Sequence, residues 1–381
     1  MPFLDISKNN PEHVRIANDS ELRVSDVMAP NSIRVRIDRF AVTANNITYV
    51  AMAQSFGYDK FFATATPKES MQMPVWGFAT VVGTTAKSVP VSTRIYGYFP
   101  AASTCDLKIH SVDLSAEYGV YNRYSFTEGD PFYSADKENA IAVFRPLWAT
   151  SFLLFDCIQT NALFGASGAV VISSASSKTS FCLAQLLTAA GIKAIGLTSP
   201  NNRKWVESLG VYSHVVLYDD VEASVSLKQA APRGIVYVDI AGNVQLRRRV
   251  FAAVGPAHVK KSLGVGMSHF NPGQSAKLEP KVAQVADPAD RVETEVFFAP
   301  SWSKKRVAEL GPVESVRRML VAWKALMERV DDWVSFKEFV GPVEAKRVYL
   351  EFLAGRSDPT VGYMVTLNGC MSPEKAALSK L

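Results

Sequence analysis

The chain has 381 residues, enough for two domains around a large core. With 48% hydrophobic and 20% charged residues, a formal net charge of +5 and no dominant basic run, it reads as an ordinary globular protein; this argues against nucleic acid and suits an anionic small-molecule ligand. Four scattered cysteines (Cys105, Cys157, Cys182 and Cys370) show no metal-ligand spacing, residues 1–11 show no secretory signal, and no apolar run approaches about 18 residues, so structural zinc, secretion and a membrane span are unsupported.

In chain order, residues 33–42 alternate Ile33, Val35 and Ile37 with Arg34, Arg36 and Asp38, the pattern of a half-buried antiparallel strand. Thr43 to Asn46 read as a turn into a further β-like segment over residues 47–52. Residues 75–83 and 94–98 are glycine-punctuated strands, and this density of short strands predicts a β-rich, barrel-like domain. Residues 113–139 are polar and aromatic and read as loop around one candidate strand.

Residues 169–203 carry the strongest local pattern. An apolar strand at 170–172, a serine-rich turn at 173–179, a helix at 181–190 closed by Gly191 and a second strand at 193–197 make a βαβ unit. Such units bind dinucleotides at the first turn, although the glycine fingerprint is replaced here by Ser174, Ser176 and Thr179. Their hydroxyls, Ser177, Lys178 and the N–H groups of the helix N-terminus are suited to donate to phosphate. Ser177-Lys178-Thr179 echoes the end of a P-loop, but no glycine lies between Gly168 and Gly191, against that motif's requirement. A capped helix that binds nothing is the bland alternative.

The second strand runs into Thr198, Ser199, Asn202 and Arg203 rather than into the Asp or Glu that holds an NAD ribose. Hydroxyls, an amide and a guanidinium suit a 2′-phosphate, so NADP(H) is the expected cofactor. Lys204 reads as a solvated position on the next helix.

The α/β rhythm continues with a helix at 203–209 and strands at 214–217 and 234–239. The latter ends in Asp239, Ala241 and Gly242, where Asp239 either binds ribose or caps the next element. A helix at 243–254, a strand at 259–265, helices at 313–330 and 343–354 and a strand at 363–367 complete the chain. The domains expected are a β-rich substrate domain from 1–145 and 300–381, and a dinucleotide-binding domain over 146–299. Ser379-Lys380-Leu381 matches a peroxisomal address read by an import receptor, with the cytoplasm as the alternative location.

Residues 33–37 leading to Ala44-Asn45-Asn46, Gly77 through Gly83, Val91 through Gly97 and Asp239 through Gly242 together resemble the medium-chain dehydrogenase/reductase superfamily. The resemblance is to its zinc-independent branch of enoyl reductases and quinone oxidoreductases. More narrowly, SSASSKT, GLTSPNNR, YVDIAGN and FFAP are similar to a branch known as a domain of unknown function. The resemblance implies a Rossmann-type doubly wound parallel sheet domain plus a β-rich, GroES-like substrate domain. It also implies an NADPH-dependent oxidoreductase that reduces an activated C=C or C=O of an acyl or polyketide-like small molecule, with an acyl thioester among the candidate substrates. Zinc-dependent members carry His-Glu after the glycine matching Gly77, where this chain has Phe78-Ala79, and Asn45-Asn46 replace a cysteine ligand, so no metal is expected. Without a Lewis acid, C=C reduction is the easier chemistry, since an enolate needs only hydrogen bonds and a proton. By position, Tyr49 with Asn46 before it, and His269 after the fifth strand, are the catalytic candidates, while Tyr121, Tyr124 and Tyr133 offer the same phenol chemistry. A lyase or isomerase on the same fold and a catalytically silent NADP(H)-binding protein are the alternatives. The oligomeric state is left open.

Overall fold

A computed structural model describes residues 1–22, 27–62, 64–109, 121, 123–265 and 292–369. His269 and Ser379-Lys380-Leu381 lie outside the described residues. The chain divides into two units, Met1–Val143 with Val334–Leu381, and Phe144–Trp333. The sequence reading places these divisions at 145/146 and 299/300, so the second differs by a stretch of helices described below.

In the first unit, β1 (Pro2–Ser7) pairs antiparallel with β2 (Val14–Asn18). Next comes β3 (Ser32–Val42), eleven residues whose Ile33, Val35 and Ile37 are buried as their alternation predicts. The segment after it is helical, not extended: α1 spans Ala44–Ala51. Thr43 and Asn46 form a capping box, the Thr43 N–H donating to Asn46 Oδ1 at 2.6 Å, and Ile47 and Val50 at helical spacing are buried. Capping and burial here override the β propensity of Ile47 to Val50.

After α2 (Ala53–Phe56), β4 (Ser70–Gln72) pairs with β1, and β5 (Pro74–Thr84) pairs antiparallel with β3 and with β6 (Arg94–Pro100). The β3–β5 register shifts between Ile37 and Arg39, and at Gly77, paired with Phe40, a Cβ would lie 2.2 Å from the Arg39 carbonyl oxygen, so only glycine permits the approach. β7 (Thr104–Lys108) joins β3, and the two-residue β8 (Ser125–Phe126), inside the expected loop, joins β6.

α3 (Glu138–Thr160) was not legible as a helix, because Pro146 lies inside it and apolar residues surround it. With its preceding turn it is long and apolar enough to cross a membrane by composition, but 72% of that window is buried within the protein, as in a core helix.

The second unit then follows the predicted alternation. Its elements are β9 (Ala169–Ile172), α4 (Lys178–Ala189), β10 (Ala194–Thr198), α5 (Arg203–Ser208), β11 (His214–Leu217), α6 (Val225–Ala230), β12 (Ile235–Asp239), α7 (Val244–Val254), β13 (Val259–Gly264) and β14 (Thr294–Val296). The sheet order is β11-β10-β9-β12-β13-β14, with every pairing parallel. This is the 3-2-1-4-5-6 order of a doubly wound fold. β9, β10 and β12 are buried along their whole length, which explains why they read as continuous apolar runs. Val171, Leu197 and Tyr237 from the strands pack with Leu246, Val250 and Phe251 of α7 on one face.

Residues 300–333, expected in the β-rich domain, belong instead to the second unit as α8 (Ala299–Leu310), α9 (Pro312–Met327) and α10 (Val330–Trp333). Aromatic contacts hold them there: Trp323 meets Trp148 of α3 edge-on at 5.1 Å, and Trp333 meets Phe181 of α4 at 5.4 Å. The chain returns to the first unit with β15 (Ser335–Val340), α11 (Pro342–Leu353) and β16 (Val361–Thr366). β16 pairs with β15 and β3, completing the sheet order β15-β16-β3-β5-β6-β8.

Candidate functional site

The carboxyl ends of β9, β10 and β12 converge at the place where the sheet order reverses, the position at which open α/β sheets bind ligands. The turn after β9 takes the shape that glycine would favour, without glycine. Ser174, the first fingerprint position, has φ of 52°. A serine there costs about 1–3 kcal/mol, so neighbouring contacts must hold it. They do. Tyr218, after β11, hydrogen-bonds Ser174. The Tyr212 hydroxyl donates to the Ala175 carbonyl at 2.9 Å, and Asn202 Nδ2 donates to Ser176 Oγ at 3.1 Å. Burial pushes the Tyr218 hydroxyl up to about 12.

The turn ends at Ser177, whose Oγ accepts from Ser180 N at 3.2 Å and caps α4. Lys178 and Thr179 are therefore the first residues of the helix, where anions are favoured by the exposed N–H groups and the helix dipole. Thr179 was matched to the third fingerprint glycine, which permits close helix–strand packing. Beside Thr179, Ser180 is fully buried with its Oγ donating to the Ser173 carbonyl at 3.0 Å.

Sequence reading missed Ser173. Its Oγ donates to Asp239 Oδ1 at 3.0 Å and accepts from Ile240 N at 2.8 Å and Ala241 N at 2.9 Å. Asp239 Oδ1 also accepts from Gly242 N at 3.0 Å, where Gly242 turns the chain at φ of 68°. Asp239 thus braces the turn before α7, while the cap of α7 itself is Asn243, whose Oδ1 accepts from Leu246 N at 3.0 Å. A small polar residue directly after a buried strand is the signal that marks Ser173.

At the end of β10, Thr198 is 1% exposed and its hydroxyl has no hydrogen-bond partner among the described residues. Ser199 and Asn202 bracket a single turn, with Asn202 N donating to the Ser199 carbonyl at 3.2 Å. Arg203 opens α5, and its Nε donates to Glu207 Oε1 at 2.9 Å. Both side chains line an open groove of about 600 Å³ that follows the edge strand β11. These residues fit a phosphate-bearing dinucleotide: a helix N-terminus with Lys178, an unpartnered buried hydroxyl and a guanidinium, with no carboxylate on the last residues of β10.

Tyr49 and Asn46 lie in the first unit. Tyr49 is 4% exposed, and its hydroxyl accepts from Asn45 Nδ2 at 2.8 Å and Trp76 Nε1 at 3.0 Å. Its ring packs among Tyr58, Tyr98 and Tyr121 at centroid distances of 4.8, 5.4 and 6.0 Å. Burial and neighbouring Tyr58 raise its proton affinity, while the bonds from Trp76, Asn45 and Tyr121 oppose that rise. Asn46 is bound at both ends, accepting from Thr43 and donating through Nδ2 to the Pro74 carbonyl at 2.7 Å. Tyr121 shares the cluster with Tyr49, Tyr124 stacks on Phe99, and the Tyr133 hydroxyl donates to Glu138 at 2.9 Å. Among the described residues, no three His, Cys, Asp or Glu side chains gather as a metal site.

The sequence matches, over residues 40–358, a family described as "Protein of unknown function (DUF2855)". No curated protein sequence matches the chain. Among solved structures it is similar to CurA of Vibrio vulnificus in complex with NADPH, with a TM-score of 0.63 and 13% identity over 97% of this chain and 100% of that one. Mycobacterial Rv1454c complexed with NADPH gives a TM-score of 0.60 and 12% identity over 96% and 99% of the two chains. A mutant form of enoyl thioester reductase from Candida tropicalis gives 0.55 and 11% over 96% and 99%. The shared fold pairs a Rossmann-type doubly wound parallel-sheet unit with a β-rich, GroES-like unit.

Proposed function

The chain belongs to the DUF2855 family, and from its second unit we propose that it is an NADPH-dependent oxidoreductase that reduces an activated C=C or C=O of an acyl or polyketide-like small molecule. The carrying observation is the turn from Ser173 to Ser177, held in a glycine-like shape at the switch point and opening onto the N-terminus of α4. Lys178 and the first N–H groups of α4 would receive the pyrophosphate, and Thr198, Ser199, Asn202 and Arg203 would receive the phosphorylated ribose. The bound cofactor would supply a hydride. The NADPH complexes of CurA and Rv1454c, and the enoyl thioester reductase activity named for the Candida protein, support this reading by analogy of fold.

On the substrate side, Tyr49 is the proposed proton donor. Its oxygen already accepts from Asn45 and Trp76, which leaves its own proton for donation. Asn46 is then a positioning residue, since its amide ties the first turn of α1 to β5. A second reading, a catalytically silent NADP(H)-binding protein, is favoured by one observation: Tyr49 is 4% exposed with its hydroxyl bonded on both sides. Titration with NADPH by nicotinamide fluorescence tests binding, and loss of NADPH absorbance with a panel of enoyl and keto thioesters tests turnover. Binding with turnover supports the reductase, binding without turnover on any acyl compound supports the silent protein, and absence of binding contradicts both.

A further inference from the structure

Resting on that cofactor reading, we propose that Glu207 sets the nicotinamide cofactor preference by holding Arg203 away from a 2′-phosphate. The two residues stand four apart on α5, on one face of the helix, and Arg203 Nε donates to Glu207 Oε1 at 2.9 Å. Their side chains are 48% and 46% exposed, so packing does not fix the pair and the guanidinium is free to exchange partners. Both line the groove along β11, as does Asp220, so that groove holds one guanidinium and two carboxylates. A 2′-phosphate, carrying a charge of about −1.5 to −2, must displace Glu207 from Arg203 and then sit beside the released carboxylate. A 2′-hydroxyl meets no such penalty, because a carboxylate accepts from it. Glu207 therefore weakens NADPH selectively and narrows its advantage over NADH. It acts through Arg203 and is a positioning residue.

The test titrates the full chain and its Glu207→Gln, Arg203→Ala and double variants with NADPH and with NADH. Both positions are about half exposed, so the variants should fold, which circular dichroism checks. Glu207→Gln should tighten NADPH about three- to tenfold and leave NADH unchanged or weaker. In the Arg203→Ala background the gain should be much smaller, since only the direct repulsion by the Glu207 carboxylate remains. An unchanged NADPH-to-NADH ratio, or an equal gain without Arg203, overturns the role of Glu207 while leaving the cofactor reading intact. A wild-type chain that binds neither nucleotide overturns the cofactor reading and this inference together.

Discussion

The Ser173 hydroxyl donates to Asp239 Oδ1 at 3.0 Å, joining the carboxyl ends of β9 and β12 on either side of the switch point. The same oxygen accepts from the N–H groups of Ile240 and Ala241, so one buried side chain sets the shape of two loops at once. Ser173→Ala removes that acceptor and one of the donors to Asp239, and should destabilise the fold by about 2–3 kcal/mol. Chemical denaturation measures it; a loss below about 0.5 kcal/mol would show the network to be redundant.

Gly77→Ala should be more damaging than an ordinary glycine replacement, because the new Cβ would lie 2.2 Å from backbone oxygen of Arg39. The β3–β5 pairing must open to admit it, at a cost of about 2–4 kcal/mol. Thermal melting should show the drop, whereas Gly129→Ala, with no atom of the described residues within 4 Å of its Cβ, is strained there by its φ of 78° and should cost less.

Tyr49→Phe leaves the Asn45 and Trp76 donors facing a ring edge in a buried cluster. A loss of about 1–3 kcal/mol in stability is expected from the unpaired donors. On the proposed chemistry, turnover should fall while NADPH affinity stays unchanged. Retained turnover would remove Tyr49 as the proton donor.

Alkaline pH should unfold the protein cooperatively. Burial raises the proton affinity of Tyr49, Tyr98, Tyr121, Tyr124, Tyr212 and Tyr237 well above that of a free phenol, and that of Tyr218 to about 12. Below the free value of about 10 both states hold these protons; above it the unfolded chain loses them first. The unfolded state then binds fewer protons, so stability falls as pH rises, by about 1.4 kcal/mol per pH unit for each such tyrosine. Phenolate absorbance should appear together with loss of ellipticity. Independent ionisation near pH 10 of a still-folded chain would contradict this burial.

Much of the second unit was legible because β9, β10 and β12 are buried along their whole length and α4, α6 and α7 start at side-chain caps. β11 lies at the residues expected, and α7 begins one residue after the expected start at 243. Local pattern failed where a distant partner decides: α1 forms against β propensity because Asn46 reaches Pro74, and residues 300–333 stay with the second unit because Trp323 finds Trp148. At the site, the Arg203–Glu207 pair is visible as i, i+4 spacing, but the bonds from Tyr218 and Tyr212 to the serine turn join residues dozens of positions apart. No sequence window contains them.

On the proposed reading, the carboxyl ends of β9 and β10 bind a dinucleotide through its 2′-phosphate. The most direct measurement is a fluorescence titration of wild type and Arg203→Ala with NADPH and NADH. Wild type should bind NADPH more tightly than NADH, and Arg203→Ala should lose about ten- to a hundredfold for NADPH alone, as expected for about 1.5–3 kcal/mol of charge-assisted bonding. Equal losses for both nucleotides, or no binding of either to wild type, would contradict it.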